Sequence, residues 1–153
     1  MGGWRSMALR CSQSGFVPRP PAQVFARIED FSSAHQWMDR CIRVQKYERG
    51  ENAVGDGLRC FYQGWLRHRV LLGCIVAREP DVRLTCEYAG RHARIGIDFT
   101  LRHHGAGTYL THTLQVVPRG WLGRLAAPLV RRALARQSSA TLASLRRCLL
   151  MPS

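Results

Sequence analysis

The sequence is short of lysine, of carboxylates and of long apolar runs. Among 23 basic side chains Lys46 is the only lysine, and Asp and Glu together number 10. With so few carboxylates, none paired on an inward strand face, two-carboxylate glycoside hydrolysis has no support. No stretch of about eighteen apolar residues occurs, so no transmembrane segment is expected. G-x-S-x-G, a glycine-rich phosphate loop and a dinucleotide-binding fingerprint are all missing, which removes the motifs of serine hydrolases, P-loop proteins and Rossmann enzymes. His103 and His104 are adjacent in an expected turn, where successive side chains diverge, and no third ligand stands at useful spacing. Neither a metal nor a cofactor is expected.

The six cysteines are Cys11, Cys41, Cys60, Cys74, Cys86 and Cys148. None forms a C-x-x-C pair, and four fall in expected strands, where they read as small buried hydrophobes. The first residues, MGGWRSMALRCSQSG, lack the apolar core of a signal peptide. A cytoplasmic location with reduced thiols is therefore expected. Gly2 and Ser6 satisfy the M-G-x-x-x-[ST] myristoylation pattern, which is short enough to arise by chance. Met7 is an alternative start, which makes residues 1–6 an N-terminal extension, expected to be flexible.

What is present is an ordinary globular composition carrying a high positive charge. The 153 residues are 46% hydrophobic and 22% charged, with a net charge of +13. That length favours one domain with one sizeable core. The charge raises nucleic acid or an anionic membrane as partners. The arginines, however, are scattered from Arg5 to Arg147, and GC-rich coding favours arginine over lysine. Nucleic acid is accordingly not the expected partner.

Along the chain, residues 7–16 read as a strand, stopped by Pro18, Pro20 and Pro21. Pro21 can open a helix, and Val24, Phe25, Ile28 and Phe31 follow at helical spacing. Ser32 or Ser33 is expected to cap a second short helix carrying His35, Trp37 and Met38. Six further strands are expected at 42–49, 58–66, 69–79, 82–89, 91–102 and 108–117. The turns between them carry Gly55 and Gly57, Pro80 and Asp81, Gly90, and Gly105 and Gly107. Short breaks of this kind imply antiparallel neighbours.

Two strands alternate cleanly. Val82, Leu84, Cys86 and Tyr88 oppose Arg83, Thr85 and Glu87, and Ile95, Ile97, Phe99 and Leu101 oppose Arg94, Asp98 and Thr100. A sheet with one dry face needs a cover. The C-terminal segment supplies it, with Val130, Leu134, Thr141, Leu145 and Leu149 at helical spacing. Pro128 should start a helix or kink one begun near Trp121.

This order of elements resembles the START-like superfamily, also called SRPBCC, and within it the polyketide cyclase/dehydrase-type proteins. The likeness rests on VPRPPAQVFARIEDFSSAHQW after the first strand, the VGDG turn, the GAGTYLTHTL last strand and the long terminal helix. It covers roughly residues 7–150 as a single domain. The resemblance implies an α+β helix-grip fold, with a seven-stranded antiparallel sheet wrapped around the long C-terminal helix and two short helices after the first strand. It also implies an apolar cavity between sheet and helix. The expected partner is a hydrophobic small molecule such as a lipid or polyketide. The alternative is a cyclase or dehydratase using His112 or Tyr88 for proton transfer. The resemblance carries no universal catalytic set.

The parity of the strands selects candidate ligand-binding residues: Leu84, Cys86 and Tyr88; Ile95, Ile97 and Phe99; Leu110, His112 and Leu114. Trp37, Val130 and Leu134 are added from the helices. Leu9, Cys11, Val82 and Val116 share the inward face. His112 between Leu110 and Leu114 brings a titratable ring into an apolar space. Tyr88 brings a hydroxyl that needs a partner when buried. In the third strand Cys60 and Tyr62 oppose Phe61 and Trp65, and alternation alone does not choose the inward side. The basic, amphipathic segment RGWLGRLAAPLVRRALARQ suits peripheral contact with an anionic membrane through Trp121 and Leu122. The other reading is a helix that closes the cavity while its arginines stay in water, and the resemblance favours it.

Overall fold

The computed structural model describes residues 8–64, 67–91, 93–120, 125 and 127–151. Alternating side chains and short turns produce seven strands: β1 Leu9–Val17, β2 Cys41–Lys46, β3 Gly57–Gln63, β4 His68–Glu79, β5 Arg83–Ala89, β6 Ala93–His104 and β7 Gly107–Pro118. They form one antiparallel sheet in the order β1-β7-β6-β5-β4-β3-β2. Two helices are α-helical, α1 Pro21–Glu29 and α2 Ala127–Leu150, and a 3₁₀ helix spans Phe31–Gln36. This is the helix-grip arrangement: a curved sheet closed by the long helix α2, with two short helices after the first strand.

The outer face of the sheet is polar. Ser12 bonds Thr113 at 2.9 Å and Ser14 bonds Thr111 at 3.0 Å across β1 and β7. Asp98 accepts from Arg83 Nε at 2.9 Å, from Thr100 Oγ1 at 3.1 Å and from Thr85 Oγ1. Asp98 therefore points outward, as alternation requires. Arg43 lies over the Phe61 ring at 4.3 Å on the same side. The third strand's inward residues are thus Leu58, Cys60 and Tyr62, with Phe61 outside. Trp65 falls outside the described residues.

The inner face packs on both helices. Pro21 fills the first turn of α1, where a missing amide proton costs nothing. Val24, Phe25 and Ile28 bury the face of α1 that meets the sheet. Glu29 at its end accepts from Arg78 Nε at 2.8 Å and Nη2 at 3.3 Å, which ties α1 to β4. On α2, Leu134, Ser138, Thr141 and Leu145 are buried at spacings of three and four. Pro128 is helical within α2, and Gly120 and Leu125 before it are helical as well.

Several expectations are corrected. The second short helix is 3₁₀ and starts at Phe31. Asp30 precedes it, its carbonyl accepting from both Ser33 N and Ser33 Oγ at 3.1 Å. Ser32 and Ser33 are therefore inside the helix rather than capping it, and Trp37 and Met38 follow its end. Val82 is 40% exposed in the turn before β5 and does not join the inward face. His103 and His104 end β6, and Gly105 with Ala106 makes the turn. In the VGDG segment only Gly55 takes a positive φ, of 97°. Gly57 is ordinary strand, needed because a Cβ there would stand 2.8 Å from the Tyr47 ring.

Candidate functional site

Between the inner face of the sheet and α2 lies a cavity of about 280 Å³. Its walls come from six elements. β3 gives Cys60 and Tyr62, β4 gives Arg69 and Leu71, and β5 gives Tyr88. β6 gives Ile95 and Ile97, β7 gives Leu114 and Val116, and α2 gives Leu134 and Gln137. Met38, Asp39 and Arg40, which join the 3₁₀ helix to β2, and Cys41 at the start of β2 form one rim. Cross-strand register explains the convergence. Tyr88 stands opposite Ile95, Cys86 and Leu114 both stand opposite Ile97, and Cys60 stands opposite Leu71. A single parity therefore lines one face across five strands.

Of the residues expected from sequence, Tyr88, Ile95, Ile97, Leu114 and Leu134 come together around this space. The others are placed elsewhere. Leu84, Cys86, Phe99 and Leu110 belong to the main buried core. Trp37 is in the same core, edge-on to Phe99 with ring centroids 5.6 Å apart. Val130 is half-buried beside Leu134 in a second cluster with Leu9, Leu114 and Val116. Alternation finds which face is inward, but not where along that face the packing thins.

His112 is 1% exposed and does not line the cavity. Its Nδ1 is 2.9 Å from Ser138 Oγ of α2, and the Phe99 ring lies 4.8 Å away, centroid to centroid. Burial lowers its pKa to about 4, against a smaller upward pull from Asp98. At neutral pH it is an uncharged ring pinning β7 to α2. Sequence reading missed Ser138, because a serine on a helix carries no signal of being a buried partner.

The cavity's own polar groups are different. Burial, and to a lesser degree the neighbouring thiols, pushes the Tyr88 hydroxyl well above its usual range, so it stays protonated. The Cys41 and Cys60 thiols influence each other across the β2–β3 irregularity: Cys60 lowers Cys41, while Cys41 and burial raise Cys60. Cys86, behind the wall, is pushed up to about 12 by burial. All six cysteines are unpaired. Arg40, Arg69, Cys41, Gln63 and Gln137 were not foreseen as lining residues. An inward arginine on a mixed strand looks in sequence like any solvated charge. Among the described residues no three His, Cys, Asp or Glu side chains gather as a metal site, and no helix is long and apolar enough to cross a membrane.

Comparison with known proteins completes the site's context. The family model described as "Polyketide cyclase / dehydrase and lipid transport" matches residues 9–149. A comparison with curated proteins finds no match. Among solved structures, the Zhui aromatase/cyclase from Streptomyces sp. R1128 superposes with a TM-score of 0.77 at 14% identity, covering 93% of each chain. A START superfamily protein from Mycobacterium smegmatis gives 0.73 at 17%, covering 92% of this chain and 96% of that one. The di-domain ARO/CYC StfQ of the steffimycin biosynthetic pathway gives 0.76 at 11%. It covers 95% of this chain, which spans about half of StfQ (51%). At these identities the superpositions establish the fold alone.

Proposed function

The chain belongs to the polyketide cyclase/dehydrase and lipid-transport family, and from that premise we propose that it holds one hydrophobic small molecule between the sheet and α2. The observation that carries this reading is the convergence of Leu71, Ile95, Ile97, Leu114 and Leu134 on an unfilled space of about 280 Å³. Protein cores are normally packed without such gaps. That volume equals roughly nine water molecules at liquid density, enough for a compact ring system or a folded chain. Burying apolar surface there contributes about 25 cal/mol per Å². Tyr88 supplies a hydroxyl to orient the bound molecule. The test is native mass spectrometry of the protein purified from its own host, followed by titration with the neutral dye Nile red. A lipophilic mass carried along, and dye binding abolished by Ile97→Trp in a folded variant, support the reading. A protein that arrives empty and gives the same dye signal after the cavity is filled overturns it.

The second reading is catalysis of cyclisation or dehydration, the activity carried in the name of the aromatase/cyclase neighbour. It rests on Tyr88, a protonated hydroxyl at the cavity wall. His112, held by Ser138 and lying off the lining, would act there as support for β7. Tyr88→Phe should then abolish turnover of a polyketide substrate while ligand retention persists; retained turnover removes this reading. Peripheral contact with anionic membrane is a lesser proposal. It rests on exposed Leu125 and Leu129 next to Arg131 and Arg132. Trp121 and Leu122 lie outside the described residues.

A further inference from the structure

One wall of the cavity carries a cation. Arg69 on β4 stands opposite Tyr62 on β3, and Tyr62 stands opposite Cys41 on β2. All three line the cavity, so Arg69 is on the inward side of the sheet, where it is half-buried. Gly64 makes room for its stem. A Cβ at Gly64 would come within 3.3 Å of both Cγ and Cδ of Arg69. On the same strand the half-buried Arg78 is paired with Glu29 at 2.8 Å. Among the described residues Arg69 has no carboxylate within 4.0 Å and no hydrogen-bond acceptor.

The surroundings reinforce that charge. Arg40 stands on the rim with a left-handed backbone, φ 61°, its carbonyl accepting from Gln63 N at 2.8 Å. An adjoining hollow of about 450 Å³ shares Tyr62, Arg69, Leu71 and Ile95 with the cavity and adds Arg67, His68 and Arg91. Against these four arginines the two linings hold one carboxylate, Asp39. A partly desolvated guanidinium without a counter-ion is costly. A neutral hydrocarbon or sterol would leave it in that state and remove water from it as well. A carboxylate or phosphate matches its planar fork with two charge-assisted hydrogen bonds.

Resting on the cavity reading above, we infer that the ligand is an amphiphile with an anionic head group, the head pairing with Arg69 at the opening and the apolar body lying over Leu71, Ile95 and Leu114. The experiment is calorimetric titration of the full chain, and of Arg69→Gln, with dodecanoate, dodecyl phosphate and dodecanol below their micellar concentrations. The wild type should bind one of the anions at least about tenfold more tightly than the alcohol, the weight of one charge-assisted hydrogen bond. Whichever anion binds more tightly identifies the head group. Arg69→Gln should weaken the anion to the level of the alcohol and leave the alcohol unchanged. Equal affinity of wild type for anion and alcohol overturns the inference but leaves the cavity reading intact. So does an equal loss of both ligands in Arg69→Gln. Failure of all three ligands to bind the wild type overturns the cavity reading and the inference with it.

Discussion

Acidification should destabilise this protein through one buried side chain, His112. The ring is 1% exposed, 2.9 Å from Ser138 Oγ, and its pKa falls from 6.5 to about 4 because burial disfavours the charged form. In the unfolded chain the ring regains its ordinary pKa. Between those two values the unfolded state binds a proton that the folded state refuses, so stability rises with pH. The contribution is fully in place above 6.5, is lost as pH falls towards 4, and levels off below. Each pKa unit corresponds to about 1.4 kcal/mol, so the whole effect is about 3.5 kcal/mol, most of it spent between pH 6.5 and pH 4. That is a large fraction of the 5–15 kcal/mol typical of a domain. Urea unfolding followed by tryptophan fluorescence measures it. His112→Leu is the reference. It leaves the Ser138 hydroxyl without its partner, so it should be less stable at neutral pH by about 1–3 kcal/mol. Its loss on acidification should nevertheless be smaller than wild type by about 2.5 kcal/mol. Carboxylates titrate in both proteins and cancel in the comparison. Parallel pH profiles for the two would refute the assignment of a buried neutral imidazole.

Three further outcomes follow from the geometry. Gly73→Ala should destabilise by about 3 kcal/mol or more, because the new Cβ would overlap the Glu87 carbonyl oxygen and stand 2.6 Å from Tyr88 Cδ1; a melting temperature within a few degrees of wild type contradicts this. Glu29→Gln removes the charge and one of the two acceptor oxygens that hold Arg78 and raise its pKa, and should cost about 2 kcal/mol in urea unfolding at neutral pH; an unchanged midpoint shows the α1–β4 tie to be dispensable. Cys41, lowered by the neighbouring Cys60 thiol, should be alkylated by iodoacetamide ahead of Cys148 and should slow in Cys60→Ala. Peptide mass spectrometry reads the order, and equal rates at both thiols count against it.

Much of the fold was legible because the sheet's inner face repeats with period two. Leu84, Cys86 and Tyr88, and Ile97 and Phe99, could be assigned inward from alternation, and the register agrees. β3 and β4 were harder. Both faces of each strand hold apolar residues, so alternation does not choose the inward side. That is why Cys60, Leu71 and Arg69 were not foreseen on the cavity wall. Val82 misled because a β-branched residue beside a strand looks like its first member, whereas the Pro80–Asp81 turn extends through it.

Composition and periodicity alone determined the order of elements, the dry face of the sheet and the covering role of the last helix, since each is a local pattern that burial enforces residue by residue. Only the tertiary structure decided that His112 meets Ser138, that Cys41 meets Cys60, and that Arg69 faces a space which Trp37 and Phe99 do not reach. Those relations join residues 26 or 19 positions apart, or depend on where packing around α2 leaves a gap, and no short-range pattern encodes the shape of a void.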